Sequence, residues 1–514
     1  MANARQVSDV PDPARDARTN GHRPIVSRQP NGNREPQPPV ASSPESGAST
    51  RGFRTVLGNP YFLRLWGAQL ISQTIMNAAN YGLLIVIATR SNTSYLASSF
   101  AIVAFALPAA VFGAPAGVLV DRFPRRRVLW VSNVLRAALA AVFAISLLID
   151  RHAILPAYAI SFCIALIGQF FAPAEGASIP LLVHPEELIN ALSLFNITFT
   201  IAQALGLIIL GPILLLVLPR IPIGTAQHNI ALDPIESLFV VVAILYLVCV
   251  ALILSIPRKR LQVRKPTQGR HRQVSETRQL HSIWTSIVEC WHFIRLDRRL
   301  LIAVLQLTIG GTTIAVVAMV APGFVETFFH TTPDHAILVF LPAGVGLVLG
   351  SVFTPNIVKR LRYTMTIAVG IIVLAVSIVL LTILKPIAVA ISPHHWYVSP
   401  PYLVAAIFLT FCIGVALDFV NVPAQTIMQE RSPDWIKGRV LAVQGMLLNA
   451  VTVPFVPLMG IAFDRLGILP AMVILAVCIG VTGMASVVAS IRAQTPTQPA
   501  SPPAQRAPVR PRSR

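Results

Sequence analysis

Long apolar runs separated by short polar breaks fill the middle of the chain, near residues 64–88, 95–119, 128–149, 155–173, 191–218, 234–256, 300–325, 335–357, 364–384, 402–427, 440–462 and 468–491. A helix rises 1.5 Å per residue, so a run of about 20 residues spans a hydrocarbon core of about 30 Å. The pattern predicts an all-α membrane protein with twelve transmembrane helices. The polar stretch 257–299 divides the runs into two six-helix bundles, 59–256 and 300–491. Late in that linker, SIWTSIVECWHFIRLDRR spaces its apolar residues helically, with Trp284 and Trp291 among them, and predicts a helix lying flat at the membrane interface. Residues 1–58, basic and rich in proline, and residues 492–514 predict disordered tails.

Composition removes the main rival. With 54% hydrophobic and 12% charged residues over 514, and a mean hydropathy of +0.67, the chain is too apolar to be solvated by water alone. The net charge of +20 would suggest nucleic acid in a soluble domain. Here the basic residues sit in tails and connecting loops without interleaved aromatic residues, which excludes base stacking as their purpose. Of the 41 Lys and Arg, only Arg90, Arg151, Arg220, Lys385 and Arg465 fall on the side opposite the tails, and Arg136 falls inside a span. That bias places both termini in the cytoplasm.

The five cysteines are scattered, and no spacing predicts a disulfide framework, a metal site or another cofactor. No Walker A, H-E-x-x-H or G-x-S-x-G pattern points to an enzyme. His394 and His395 adjoin in a proline-rich loop and read as solvated, as do Glu326 and Asp334.

The second run ends in GAPAGVLVDRFPRRR, residues 113–127. Gly113 and Gly117 share a helix face and predict a close approach by another helix. Asp121, Arg122, Arg125, Arg126 and Arg127 then form a charged turn. Gly346 and Gly350 repeat the glycine pair in the second half, followed by Lys359 and Arg360, and Pro173-Ala174 recurs as Pro423-Ala424.

This turn resembles the loop between helices two and three of the Major Facilitator Superfamily, G-x-x-x-D-R-x-G-R-R, with Pro124 where that family usually has glycine. NPYFLRLWGAQLIS, FFAPAEGASIPLLVHPEELINALS and NVPAQTIMQERSPDWIKGRVLAVQ extend the resemblance over residues 59–491, toward the bacterial group of enterobactin exporters and macrolide efflux proteins. The resemblance implies a monomeric secondary transporter of the cell membrane working by alternating access. Its implied partners are an amphipathic small molecule such as a drug or siderophore, protons as coupling ion, and membrane lipids. A lipid or lysolipid flippase of the same fold, and a membrane scaffold or sensor without transport, are the alternative readings.

In the fold that the resemblance implies, the polar groups supply candidate site residues. Gly113, Gly117, Asp121, Arg122, Arg125 and Arg126 form a gate that Glu175, at the end of span four, is placed to pair with; the other reading of Glu175 is a water-exposed interfacial acid. Asp418 lies deep in span ten, where an isolated carboxylate needs a partner or a proton, and reads either as a coupling or cation-recognition group or as a tether to Lys359 or Arg360. Arg136 reads as snorkelling to the cytoplasm or pairing, or as a contact for an anionic substrate. Gln69, Gln73, Asn77 and Asn80 share a face of span one and, with Gln203 and Gln306, are candidates to line the cavity. Span one holds no carboxylate.

Overall fold

The structure is a computed structural model that describes residues 55–91, 94–120, 123–150, 154–218, 221–222, 231–261, 276–331, 337–393 and 396–494. Residues 1–54 and 495–514 of the expected tails, Asp121, Arg122, Asp334, His394 and His395 lie outside the described residues, whereas 55–57 and 492–494 are helical and Val56 is buried, so the ordered part of the chain extends beyond the limits expected for it. In chain order the helices are α1 (Pro60–Arg90), α2 (Tyr95–Val120), α3 (Arg125–Ile149), α4 (Leu155–Leu182), α5 (Leu188–Ala204) and α6 (Gly211–Val217), the last two joined by a π-helical turn, Leu205–Leu210. They continue as α7 (Pro234–Leu254), α8 (Glu276–Leu296), α9 (Arg298–Phe329), α10 (Ile337–Ile391), α11 (Pro400–Arg431), α12 (Asp434–Leu466) and α13 (Ile468–Gln494).

Eleven helices among the described residues are long and apolar enough to cross a membrane. One of them, α10, runs for 55 residues, far beyond a single crossing. It bends at Arg362, whose φ of 64° and ψ of 156° break the helix, so it supplies two spans and the count reaches twelve. Positive φ is strained for a residue with a Cβ, and here it makes the tight turn between those spans. The all-α expectation needs one small addition: Ile221–Pro222 and Ala231–Leu232 pair as an antiparallel ladder between α6 and α7.

Local chemistry sets the helix starts. The Asn59 side chain accepts from the Tyr61 and Phe62 N–H groups at 3.0 and 3.3 Å, Pro60 follows at the first helical position, and Asn59 Nδ2 donates to the Leu182 carbonyl at 2.7 Å. One asparagine therefore starts α1 and ties it to the end of α4. Asp297 does the same for α9, accepting from Arg299 N and Leu300 N at 2.9 and 3.3 Å. Just before it, α8 buries Cys290 and Ile294 against Leu300, Met428, Ile436 and Val440 of the second bundle.

The end carrying the Arg125–Arg127 turn is called the basic end, and the opposite one the far end. In the far half one apolar core runs through both bundles, from Leu83, Ala101 and Phe143 to Val316, Phe324 and Phe463. Toward the basic end it divides into separate clusters, Phe62, Leu65, Leu129 and Ile253 in the first bundle and Cys290, Met428 and Val440 in the second. Exposed Val142, Ile145, Leu247, Val404 and Phe408 form an outward apolar surface suited to lipid. Lipid is as apolar as these side chains, so tight packing and hydrogen bonds must hold the bundles together.

Candidate functional site

The first N–H groups of any helix lack internal acceptors. At the start of α2, Ser94 Oγ accepts from Ala97 N at 3.2 Å, as an N-cap serine should. The next two donors are met from the other bundle: Asp464, near the end of α12, accepts from Tyr95 N at 2.8 Å, Leu96 N at 3.1 Å and Ser94 Oγ at 2.8 Å. A carboxylate at a helix N-terminus is favoured by the helix dipole as well. The Tyr95 ring lies 5.2 Å from that of Phe463 and fills the space above Gly323 of α9, where an added Cβ would stand 2.6 Å from Tyr95 Oη. Gly460 of α12 meets the Leu96 backbone in the same way. These contacts clasp the two bundles at the far end. Sequence reasoning missed them, because nothing near Ser94 announces a cap supplied from another helix.

Within the far half lies a cavity of about 110 Å³, lined by the first bundle and meeting the second at Ala318. Its walls are Leu83, Ile102, Phe105, Leu207 and Ala318, with Asn80 and Ser161 as its polar groups. Asn80 is where the α1 pattern placed it. Asn77 instead donates to Gln73 O at 2.8 Å and abuts Gly206, on the π-helical turn. Gln203 is exposed on α5. Gln306 turns into the second bundle, donating to Ser486 Oγ of α13 at 3.2 Å and lining a cavity of about 180 Å³ with Arg299, Tyr363 and Glu430.

At the basic end, Arg125 Nη1 donates to Ala177 O at 2.6 Å and Arg126 Nη2 to Leu254 O at 2.5 Å. Leu254 is the last residue of α7, where a carbonyl has no helical donor and the dipole favours a cation. The expected pairing of Arg125 or Arg126 with Glu175 is therefore not made. Glu175 points the other way, into the first bundle, at 5% exposure, which also removes the reading of it as a water-exposed acid.

Glu175 shares that interior with Arg136, whose 1% exposure overturns the snorkelling expectation. The guanidinium is held by Ser72 Oγ at 3.1 Å and lies 4.9 Å from the Phe171 ring centre and 5.8 Å from that of Tyr246. Gly168 makes room, since a Cβ there would come 3.2 Å from Arg136 Nη2. A signal for this burial was present in the sequence: Leu129, Ser132, Asn133, Arg136, Ala140 and Phe143 recur at helical spacing on one face, and all are buried.

The glycine pair behaves differently in the two halves. An added Cβ at Gly113 meets only Gln169 Oε1, at 3.7 Å, so the close approach expected there is absent at Gly113. In the second half Gly346 is pressed on the Phe411 carbonyl and Gly414 on the Ala343 carbonyl, which brings α10 and α11 into backbone contact. A Cβ at Gly350 would stand 2.9 Å from that of Asp418. Asp418 is 8% exposed, faces α10 with the Ser351 backbone N–H beside it, and makes no ion pair within 4.0 Å among the described residues, so the tether to Lys359 or Arg360 is not made.

The family model for the Major Facilitator Superfamily matches residues 65–456. Macrolide efflux protein A of Streptococcus pyogenes is 26% identical over 149 residues, which cover 28% of this chain and 36% of that protein, so the likeness spans about a third of its length. Among solved structures, a nucleoside transporter superposes with a TM-score of 0.58 at 12% identity, covering 84% of this chain and 100% of that one. A D-xylose–proton symporter gives 0.58 at 16% identity, covering 86% and 98%. At these identities the superpositions speak for the fold alone.

Proposed function

Because the chain belongs to the Major Facilitator Superfamily, a family of multi-pass membrane transporters, we propose that it exports amphipathic small molecules from the cytoplasm by alternating access, driven by protons. The observation that carries this reading is the cavity that the first bundle forms against Ala318 of the second, whose walls are apolar apart from Asn80 and Ser161. Such a lining suits a drug or an apolar siderophore face better than a sugar, whose hydroxyls would go unpaired. The partial likeness to macrolide efflux protein A supports the same substrate class.

The basic end faces the cytoplasm in this reading, as its arginines favour. The clasp at Asp464 and the divided core at the basic end are those of a transporter closed outward and ready to load from inside. Gly113, Gly117, Asp121, Arg122, Arg125 and Arg126 then form the inner gate, and it works by holding backbone carbonyls of α4 and α7 as well as by charge pairing. Asp418, buried without a cation, is the coupling group: a carboxylate there is tolerated when it carries a proton. The protein acts as a monomer in the cell membrane, with lipid as its solvent.

The test is proton flux in sealed vesicles containing the purified protein, challenged with macrolides, lipophilic cations and catecholate siderophores. One class is expected to stimulate proton movement, and Asp418→Asn to abolish uphill accumulation while retaining exchange at equilibrium. Transport of lysolipid with none of these compounds would replace the reading with a flippase.

A further inference from the structure

Burial of polar atoms without partners is costly, about 1–3 kcal/mol each and more for charged groups, so a cluster of them marks a place where something else belongs. The interior of the first bundle holds such a cluster. Gln69 Oε1, Gln73 Oε1, Arg136 Nε, Glu175 Oε1 and Tyr246 Oη are all buried with no hydrogen-bond partner. They come from α1, α3, α4 and α7: Arg136 is the charge that acts on Glu175, Tyr246 and Cys249, and α1, which carries Gln69 and Gln73, holds the guanidinium through Ser72.

A buried guanidinium calls for an anion to balance it. Glu175 is the carboxylate beside it, yet among the described residues the two make no ion pair within 4.0 Å. An ionised Glu175 left in this position would carry the full desolvation cost of a buried charge, whereas a neutral carboxyl carries much less. The groups facing it are known on each packed element: Arg136 on α3, Tyr246 and Cys249 on α7, and only amides and Ser72 on the adjoining part of α1. The segments of α2 and α5 that pack beside α4 carry no charged side chain.

The site is too tightly built for a drug. Arg136 is clamped between two rings, and α3 and α7 pack on the first bundle's own helices, whereas α1 and α2 meet the second bundle. The occupants that fit are a proton and the water that delivers it, which needs two to four polar partners of the kind left open here. Toward the basic end, Arg125 closes on Ala177 O, two residues beyond Glu175 on the same helix.

We infer that Glu175 and Arg136 form a second proton site, inside the first bundle and separate from Asp418, filled from the basic end past Arg125. This rests on the proton-driven reading above and deepens it. In the loaded state Glu175 carries the proton and stands apart from Arg136, as observed. On release the carboxyl O–H bond breaks, the proton passes to water at the basic end, and the carboxylate closes on the guanidinium. Closure moves α4 relative to α3 and pulls on the Arg125 contact, linking proton loss to the inner gate.

The experiment is pH-difference infrared spectroscopy of the full chain in lipid vesicles, which detects a protonated buried carboxyl through its C=O stretch and needs no substrate. The wild type should show such bands, one lost in Glu175→Gln and retained in Asp418→Asn. Glu175→Asp should move that band rather than remove it, which keeps the assignment secure if the glutamine variant folds poorly. A spectrum unchanged by both Glu175 variants overturns the inference. Because the readout is independent of flux, failure of export with an intact Glu175 band sinks the export reading alone, and proton-driven export with no such band sinks this one alone.

Discussion

Replacing Asp464 by alanine is expected to open the far end of the transporter. The side chain accepts three hydrogen bonds, two of them from the N–H groups that begin α2. Ser94 still caps Ala97 N in the variant, but the N–H groups of Tyr95 and Leu96 lose their acceptor. The contact is near water, so the loss falls below that of a buried charged hydrogen bond, at about 1–2 kcal/mol, or about 5- to 30-fold in the ratio of closed to open forms. The state in which the far end is parted has no such contact to lose, and the whole effect appears as a population shift.

The change can be read as labelling of a cysteine placed at Ala318, on the cavity wall, in a background where the five native cysteines are serine. A membrane-impermeant thiol reagent added from the far side should react about 5- to 30-fold faster when Asp464 is alanine. Asp464→Asn, which keeps an acceptor oxygen but not the charge, should fall between. An Asp464→Ala labelling rate equal to that of the parent would show that the clasp does not hold the closed state, leaving Tyr95 in its glycine socket as the element that does.

The second large effect concerns the crossing of α10 and α11. Gly414→Leu would drive a Cβ into the Ala343 carbonyl and the adjoining backbone, and Gly346→Leu would do the same at Phe411. Backbone atoms of a packed helix have no rotamer to escape into, so the helices must separate along their length. We expect a cost of about 3 kcal/mol or more, the upper range for overpacking, seen as loss of monodisperse protein in detergent and a clearly lowered melting temperature. Gly113→Leu is the control: with only Gln169 Oε1 nearby, at 3.7 Å, it should leave folding within about 0.5 kcal/mol of wild type. Equal damage from Gly113→Leu and Gly414→Leu would mean that the two repeats cross alike and that the contrast drawn here is wrong.

That contrast shows where sequence reading reaches its limit. Gly113-x-x-x-Gly117 and Gly346-x-x-x-Gly350 are the same pattern, and each predicts a close crossing; Gly346 and Gly350 are in one, and Gly113 is not. A small residue permits approach, but whether a partner comes near depends on the helices around it. Glu175 and Arg136 teach the same lesson. Each stands out in the sequence as a charge in an apolar run, yet the gate reading of Glu175 and the snorkelling reading of Arg136 both point to the basic surface, because depth along a helix is legible without its rotation. The face formed by Ser132, Asn133, Arg136 and Ala140 could have corrected Arg136. No comparable local sign marks Tyr246 as a neighbour of Arg136, or Asp464 as the acceptor for the start of α2.

By itself the sequence determined the quantities that one helix settles alone: the number of spans, the basic turn at Arg125 and Arg126, and the polar face of α1. These follow from length, hydropathy and periodicity, which a hydrocarbon solvent enforces locally because every backbone hydrogen bond must close within the helix. Only the tertiary structure decided that Asp464 caps α2, that Glu175 turns toward Arg136 instead of Arg125, and that α10 meets α11 through bare glycines. Those outcomes depend on the rotation and spacing of helices far apart in the chain. In lipid no hydrophobic gradient sets that rotation, and the fit of small residues and the pairing of polar atoms decide it.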